Sequence, residues 1–148
     1  MAKKLGRDYG FYVASGTAPS DLAVSSNYTE VGLITSRSYT RARNAVNVSD
    51  ADSGDDSDYL SGRRERQIQI DGFFDAATNA GQDILESALE DTATTSIWWL
   101  FSTNVTGDRQ IYGRAIVTAF DISADDDGGA TFSATIMVSG KPVEANVA

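Results

Sequence analysis

Two acidic segments contain the residues of this chain that could most readily bind a metal ion or do acid–base chemistry. Their members are Asp50, Asp52, Asp55, Asp56 and Asp58 in the first, and Asp121, Asp125, Asp126 and Asp127 in the second. A calcium-binding loop needs a glycine at its sixth position and a glutamate at its twelfth. Counted from Asp50, those positions hold Asp55 and Ser61, and the second segment has Phe132 at its twelfth position. Since neither segment fits, we interpret both as solvated or partner-facing, and we expect no metal and no cofactor.

Catalysis by histidine or cysteine is excluded by the composition. The 148-residue chain contains neither residue type, which rules out Ser-His-Asp and Cys-His catalysis, thiolate zinc sites and disulfides. Paired carboxylates could serve a glycosidase, but here they lie in predicted loops without an aromatic groove around them. We therefore expect a protein that is not an enzyme.

Two adjacent tryptophans are the strongest candidates for stacking on a ligand. Trp98 and Trp99 lie next to each other in a predicted strand, so their side chains point to opposite faces. They cannot form one platform for a sugar or a base. We interpret one as a core residue and place Trp98 at an interface between subunits.

A short basic run, Arg63, Arg64 and Arg66, follows the first acidic segment. The chain has a net charge of -9 and a pI of about 4.3, which disfavours binding to nucleic acid. We expect these arginines to pair with acidic residues of a neighbouring copy, in a head-to-tail contact. The acidic residues of that contact would be Asp50, Asp52, Asp55, Asp56 and Asp58.

The elements that position these residues are predicted to be mainly β-strands. Alternation of apolar and polar residues predicts strands within residues 10–14, 28–41, 67–75, 95–104, 110–123 and 130–140. One helix is predicted over residues 79–92, where Ile84, Leu85, Ala88 and Leu89 form an apolar stripe. The pattern indicates one domain, residues 1–148, of the mainly β class: an antiparallel β-sandwich or barrel with a single flanking α-helix.

Three segments show no such periodicity. Residues 44–62 are predicted to be a long acidic loop, and a loop of that length in a compact domain usually indicates function or disorder. Residues 1–9 and 141–148 are predicted to be N- and C-terminal arms, the second opened by Pro142. We find neither a secretory signal nor an apolar run of about 20 residues, so we expect no membrane contact.

Several of these segments occur in a characteristic order. Residues 30–41 (Glu-Val-Gly-Leu-Ile-Thr-Ser-Arg-Ser-Tyr-Thr-Arg) are followed by a polar loop, by Gly62-Arg63-Arg64 and by residues 68–75 (Ile-Gln-Ile-Asp-Gly-Phe-Phe-Asp). The helix at 82–89 comes next, and a strand at 132–140 ends in Ser139-Gly140. This order resembles that of the major tail tube proteins of long-tailed, siphophage-like bacteriophages and related gene transfer agents. The likeness covers most of residues 28–140.

The resemblance implies a structural virion protein whose hexameric rings stack into a hollow tail tube that conducts DNA during ejection. Inner strands of the copies would join into a lumen wall. The loop at 44–62 would reach a neighbouring subunit or ring, and the arms would add contacts between rings. The candidate residues for the lumen face are Gln67, Gln69, Asp71, Thr131, Ser133 and Thr135.

The resemblance also implies partners and a location. The partners are other copies of the chain, a tape measure protein, a tail terminator and tail-tip or baseplate proteins, with DNA in transit but not specifically bound. Assembly would take place in the host bacterial cytoplasm, and the product would be the virion tail. Two other hypotheses stay open at this point: a monomeric β-sandwich binding module (carbohydrate-binding or a tail-tip adhesin), and a ring-forming capsid-decorating or head–tail connector protein.

Overall fold

A computed structural model describes residues 5–16, 18–75, 77, 79–91 and 95–148. The described strands are β1 (Gly10–Ser15), β2 (Thr29–Glu30), β3 (Ile34–Asn47), β4 (Tyr59–Phe73), β5 (Ser96–Ser102), β6 (Arg109–Ala124) and β7 (Ala130–Asn146). The helix α1 spans Ala80–Glu90, and short 3-10 helices span Gly6–Asp8 and Ser25–Asn27.

The strands form one seven-stranded antiparallel sheet in the order β2-β1-β5-β6-β7-β4-β3. This confirms the predicted mainly β class with a single α-helix. The sheet is not closed into a barrel, because β2 and β3 remain as its two edges within the described residues.

Two long strands, β6 and β7, bend the sheet so that its halves face each other. Their pairing shifts register between Tyr112 and Arg114 and again between Val117 and Ala119. Such bulges let a strand pass from one layer to the other at a corner. As a result, the ring of Tyr39 in β3 lies 5.7 Å from the ring of Trp99 in β5, between centroids. The space between the two halves is the core.

The core is built from alternate residues of the strands. Val13, Ile70, Trp99 and Ile136 are fully buried, and each comes from a different strand. Successive side chains of a strand point to opposite faces, so their neighbours in sequence face away from this core. Burying an aliphatic side chain of this kind contributes roughly 1.5–3 kcal/mol.

The helix α1 packs against the same core. Leu85 and Ala88 are buried, and Ile84 and Leu89 pack on the core beside them, which confirms the predicted apolar stripe. Asn79 caps the helix by accepting a hydrogen bond of 3.2 Å from the backbone N–H of Gln82. Thr92, the predicted last residue, lies outside the described residues. No helix in the described ranges is long and apolar enough to cross a membrane.

The second face of β5 is covered by a segment of the same chain, residues 18–28. Leu100 is fully buried on this face. The side chain of Gln110, which lies on β6, donates to the carbonyl of Ala23 (3.0 Å), and the hydroxyl of Tyr28 donates to the carbonyl of Leu22 (2.9 Å). Burial raises the pKa of Tyr28 to about 12, with the nearby Tyr112 and Asp21 adding to the effect.

The prediction of a long loop over residues 44–62 is wrong in its extent. β3 continues to Asn47 and β4 begins at Tyr59, so only residues 48–58 connect them. Beyond Thr40 both strands project from the sheet as a hairpin with almost every residue exposed. A strand exposed on both faces has no alternation of apolar and polar residues, which is the pattern that indicates a strand.

The prediction of a C-terminal arm over residues 141–148 is also wrong. β7 runs to Asn146, and its residues 143–146 pair with residues 112–109 of β6. Pro142 is buried against Gly113, where an added Cβ would lie 3.2 Å from the proline Cβ. This is the position of the Tyr112/Arg114 bulge, and a bulge is one of the few places where a strand tolerates proline.

The predicted N-terminal arm, residues 1–9, differs from the prediction in the part that the structure describes, residues 5–9. Residues 1–4 lie outside the described residues. Gly6–Asp8 form a 3-10 helix, and the carbonyl of Gly6 accepts a hydrogen bond from the guanidinium of Arg37. The ring of Tyr9 stacks on that of Phe101 with centroids 4.9 Å apart. The described end of this segment is therefore attached to its own domain.

Candidate functional site: the hairpin and the polar sheet face

The tip of the β3–β4 hairpin, residues 48–58, is folded by its own hydrogen bonds. The backbone N–H of Asp58 donates to the hydroxyl of Ser49 (2.8 Å), and the hydroxyl of Ser53 donates to the carboxylate of Asp58 (2.7 Å). The carboxylate of Asp50 accepts from the backbone N–H two residues later (3.0 Å). Two of the predicted interface aspartates therefore shape the tip. All five are exposed, including the other three: Asp52, Asp55 and Asp56.

Among the described residues, no group of three or more side chains is placed to hold a metal ion. The carboxylates of the tip are exposed at the end of the hairpin, where a neighbouring molecule can contact them.

The arginines at the base of the hairpin divide between its two faces. Arg64 and Arg66 lie on the face that continues the core side of the sheet, and Arg63 lies on the other. The register sets Arg41 opposite Arg66 and Arg43 opposite Arg64. Like charges directly opposed across an antiparallel pair are destabilising. The basic cluster comprises Arg41, Arg43, Arg64 and Arg66, and the sequence pattern predicted an interface role only for its β4 half.

Glu144 of β7 partly compensates this cluster. Its carboxylate accepts hydrogen bonds from Arg41 (2.7 Å) and Arg109 (2.5 Å), and both contacts are ion pairs. The hydrogen bond from Arg109, followed by that from Arg41, holds the pKa of Glu144 below its usual value against the opposing effect of desolvation. One carboxylate cannot neutralise four arginines, so the cluster keeps a positive surplus.

A polar face covers the other side of the β3–β4–β7–β6 half of the sheet. The side-chain amide of Gln69 donates to the hydroxyl of Ser133 and accepts from the hydroxyl of Thr135, both at 2.7 Å. Asp71 pairs with Ser133 across the strands. The predicted lumen residues are thus brought onto one face. Cross-strand pairing adds residues of the two outer strands to it: Ser36, Ser38 and Thr40 of β3, and Asp121 and Ser123 of β6.

Trp98 is half-buried on the outer side of β5. Its indole N–H donates to the carbonyl of Gly16 at 3.3 Å, so its own chain covers part of the ring. Trp99 is fully buried, in agreement with its predicted place in the core. The role of Trp98 at a subunit interface stays a prediction.

Gln82 is a positioning residue that the sequence analysis missed. It is buried in the first turn of α1, where its amide N–H₂ donates to the carbonyls of Gly32 and Phe73, both at 3.1 Å. Its side-chain oxygen accepts from the backbone N–H of Asp75 at 3.2 Å. The side chain thereby joins the segment before β3 to the end of β4. Its place three residues before Leu85, on the same helical face, is a pattern that could have revealed it.

The sheet, its exposed hairpin and its polar face define a structural β-protein with extended contact surfaces. A family model described as phage tail tube protein matches residues 5–144, and the chain belongs to this family. It is a structural tail tube protein, and this identity does not favour the binding-module or connector hypotheses.

Solved structures support the fold assignment. A chain from the virion of a native gene transfer agent particle is similar with a TM-score of 0.73 and 14% identity, over 97% of this chain and 99% of that one. The SPP1 tail tube gives 0.71 and 15%, over 96% and 78%. The sheath–tube complex of an extracellular contractile injection system, PVC, gives 0.59 and 14%, over 93% and 88%. No curated protein is similar enough in sequence to be matched.

Proposed function

We propose that six copies of this chain close into a ring and that the rings stack into the tail tube of a virion, through which DNA passes. The observation that supports it most directly is a polar four-stranded half-sheet with a free edge on each side. A similar chain forms the tail of an empty gene transfer agent particle with C6 symmetry.

The two free edges belong to β3 and to the second half of β6. β3 pairs with β4 alone, and β5 covers β6 only over residues 111–116, so residues 117–124 pair with β7 alone among the described strands. Unpaired edges expose backbone N–H and C=O groups that readily pair with another strand. Pairing the β3 edge of one copy with the β6 edge of the next gives the backbone groups of both edges hydrogen-bond partners. A closed ring of such pairs has no unpaired edge in its wall.

The strand directions suit this joining. Along the order β6-β7-β4-β3 the strands alternate in direction, so β3 runs opposite to β6. The copies of a ring all point the same way along its axis. β3 of one copy therefore meets β6 of its neighbour antiparallel, and the antiparallel pattern continues around the whole wall.

The polar face is then the lumen surface. Within the half-sheet its residues contribute hydroxyls, amides and the carboxylates of Asp71 and Asp121, together with the apolar side chains of Phe73 and Met137, and none of them is basic. Each cation in contact with a phosphate would add binding energy and slow the passage of DNA. A wall of this composition in a chain of net charge -9 lets DNA pass without holding it.

Contacts along the axis involve the hairpin and further partners. The hairpin projects beyond one end of the half-sheet, where it reaches the neighbouring ring with the carboxylates of its tip. We infer that the tape measure protein occupies the lumen before DNA does, that a terminator and tail-tip or baseplate proteins close the ends, and that assembly takes place in the host bacterial cytoplasm. The chain has no catalytic step to perform in this role.

Electron microscopy together with engineered cysteines tests this function. The chain has no cysteine, so any disulfide in Ser38→Cys/Asp121→Cys reports on the introduced pair alone. In electron microscopy, purified protein at high concentration should form rings or hollow tubes. Oxidation of the double variant should give a ladder of disulfide-linked species, whose largest member contains all the copies of one ring. Ser36, Thr40 and Ser123 offer alternative registers for the pair. Each single-cysteine variant is the control and should give no ladder. Tubes whose edges cannot be linked in any register would contradict the proposed wall.

A further inference from the structure

A basic pocket lies beside the base of the hairpin. It has a volume of about 570 Å³ and is lined by Arg41, Arg66, Lys141, Pro142, Val143 and Glu144. Three cations and one carboxylate leave a formal surplus of two positive charges (3 − 1 = 2). The carboxylate of Glu144 is already shared between Arg41 and Arg109, and in the described part of the chain Arg66 and Lys141 have no ion pair. Glu144 therefore serves Arg41 within the pocket, and Arg66 and Lys141 lack an anionic partner among the described residues.

The acidic β6–β7 turn, residues 125–127, lies at the opposite end of the half-sheet. A Cβ added at Gly129 would lie 3.7 Å from the ring of Phe73, so the turn is next to the last residue of β4. Arg66 is seven residues back along that strand, which at about 3.3 Å per residue is roughly 20–25 Å away. The turn cannot reach the basic pocket of its own chain. Asp125, Asp126 and Asp127 are exposed.

We propose that the acidic turn of one copy docks into the basic pocket of a copy in the next ring. The inference rests on the proposed function, because it uses the stacking of rings. Copies that all point the same way place every turn on one face of the ring and every pocket on the other. Stacking then brings three carboxylates to a pocket with a positive surplus, which fixes both the direction and the rotational register of one ring on the next.

Apolar surface accompanies the charges on both sides of this contact. Val143 lines the pocket with 48% of its surface exposed, beside Pro142. Phe73, adjacent to the turn, is 51% exposed. Docking would remove both side chains from water while the charges pair, a combination that gives an interface both affinity and specificity.

The hairpin tip is the other acidic segment of the chain that could enter the pocket. It leaves from the same end of the half-sheet as the pocket, whereas the turn leaves from the opposite end, which is the end that the next ring presents. Two of the tip carboxylates, those of Asp50 and Asp58, are also held by hydrogen bonds within the tip. The position and the free carboxylates both favour the turn.

Zero-length carbodiimide crosslinking of assembled tubes tests the proposal with native residues. The reagent joins a lysine amine to a carboxylate that touches it, and the chain has three lysines: Lys3, Lys4 and Lys141. We expect peptide mapping to find Lys141 joined to Asp125, Asp126 or Asp127. Lys141→Arg removes the reactive amine and should remove this crosslink. Tubes in which Lys141 is joined instead to the tip aspartates, or to Glu144 alone, overturn the proposal and leave the tube function standing.

Charge reversal gives a second, independent measurement. Lys141→Glu should shorten tubes or stop growth at single rings, and adding Asp126→Lys should restore growth by reversing the pair. Glu86→Lys, a charge change of the same size and opposite sign on the exposed side of α1, is the control and should leave tube length unchanged. A double variant that grows no better than Lys141→Glu contradicts the docking. Absence of the Ser38–Asp121 ladder and of rings in the wild type would instead overturn the proposed function, and this inference with it.

Discussion

Gly81, in the first turn of α1, lies against the backbone of Glu30 so closely that a Cβ added to the glycine would stand 2.5 Å from the carbonyl oxygen of Glu30. The same atom would lie 2.6 Å from Cα of Val31. Both neighbours are backbone atoms, which cannot move aside as a flexible side chain could. The absence of a side chain at position 81 therefore sets how near the helix approaches β2.

Gly81→Ala should destabilise the fold. Alanine is the better helix former by about 1 kcal/mol, but overpacking costs about 1–3 kcal/mol, and here the clash is with backbone. Chemical denaturation measures the difference. Ser87→Ala, at an exposed position of the same helix, is the control and should be neutral or slightly stabilising. A Gly81→Ala protein as stable as the wild type would show that the helix can shift without cost.

Gln82→Leu should lower the free energy of unfolding by about 2–4 kcal/mol, because it leaves two carbonyls and one N–H group without their partner. Leucine has a similar volume, so the loss reports on the hydrogen bonds rather than on a cavity. Glu86→Gln on the exposed face serves as the control in the same denaturation experiment. An unchanged midpoint for Gln82→Leu would mean that the three bonds contribute nothing net.

Glu144→Gln should remove a pH-dependent part of the stability. The folded-state pKa of Glu144 is lowered from the ordinary value of 4.5, so its contribution is fully present above that value and is lost as the pH falls through the folded-state pKa. The variant should melt at a lower temperature than the wild type at pH 7, and the difference should vanish in acid. The effect is small because the side chain is partly exposed, and added salt should reduce it. A difference that is constant with pH would contradict the ion-pair assignment.

Positive charge on the polar face should make the tube hold DNA. Gln67→Lys and Thr131→Lys change two exposed residues of that face, and each lysine in a ring would meet phosphates. We expect the variant tubes to retain duplex DNA in a salt-dependent manner in a co-sedimentation assay, while wild-type tubes do not. Thr106→Lys, exposed in the turn before β6, supplies the matched change away from the sheet. Equal retention by the Thr106 variant would place the lumen elsewhere.

Deleting Asp50–Asp58 should leave the domain folded and block tube growth. The deleted residues make hydrogen bonds with the hairpin tip and none with the core, so the melting temperature should barely change. Electron microscopy of the deletion variant reports on growth. A triple Asp→Asn variant at positions 52, 55 and 56 keeps the length of the tip and tests whether charge or reach matters. Normal tubes from the deletion variant would remove the hairpin tip from the assembly contact.

The parts of the fold that bury one face were predictable from the sequence. In β7, Phe132, Ala134 and Ile136 alternate with Thr131, Ser133 and Thr135, and the structure buries the first set and lines a polar face with the second. A strand with one buried face must alternate with a period of two. The helical stripe around Leu85 was equally clear, since it too faces the core.

The parts that depend on long-range pairing were not predictable. The hairpin from Arg41 to Glu65 has no buried face, so its strands left no periodic pattern. Pro142 predicted that β7 ends before it, since a proline is rarely tolerated inside a strand. The bulge at Gly113 that accommodates the proline is visible only in the structure. The pairing of Arg41 with Arg66 depends on a register between strands, which residue spacing along one chain does not contain.

The acidic β6–β7 turn and the basic pocket lie at opposite ends of the half-sheet, which has a consequence for how a tube starts and ends. A wall built from copies that all point the same way has two chemically different ends, one rimmed by acidic turns and the other by arginine-lined pockets and projecting hairpins. One cap cannot fit both. In the proposed tube, the protein that starts growth and the protein that ends it would therefore bind different surfaces. A polyanion in solution should block the basic pockets at one end and leave the other end free to grow.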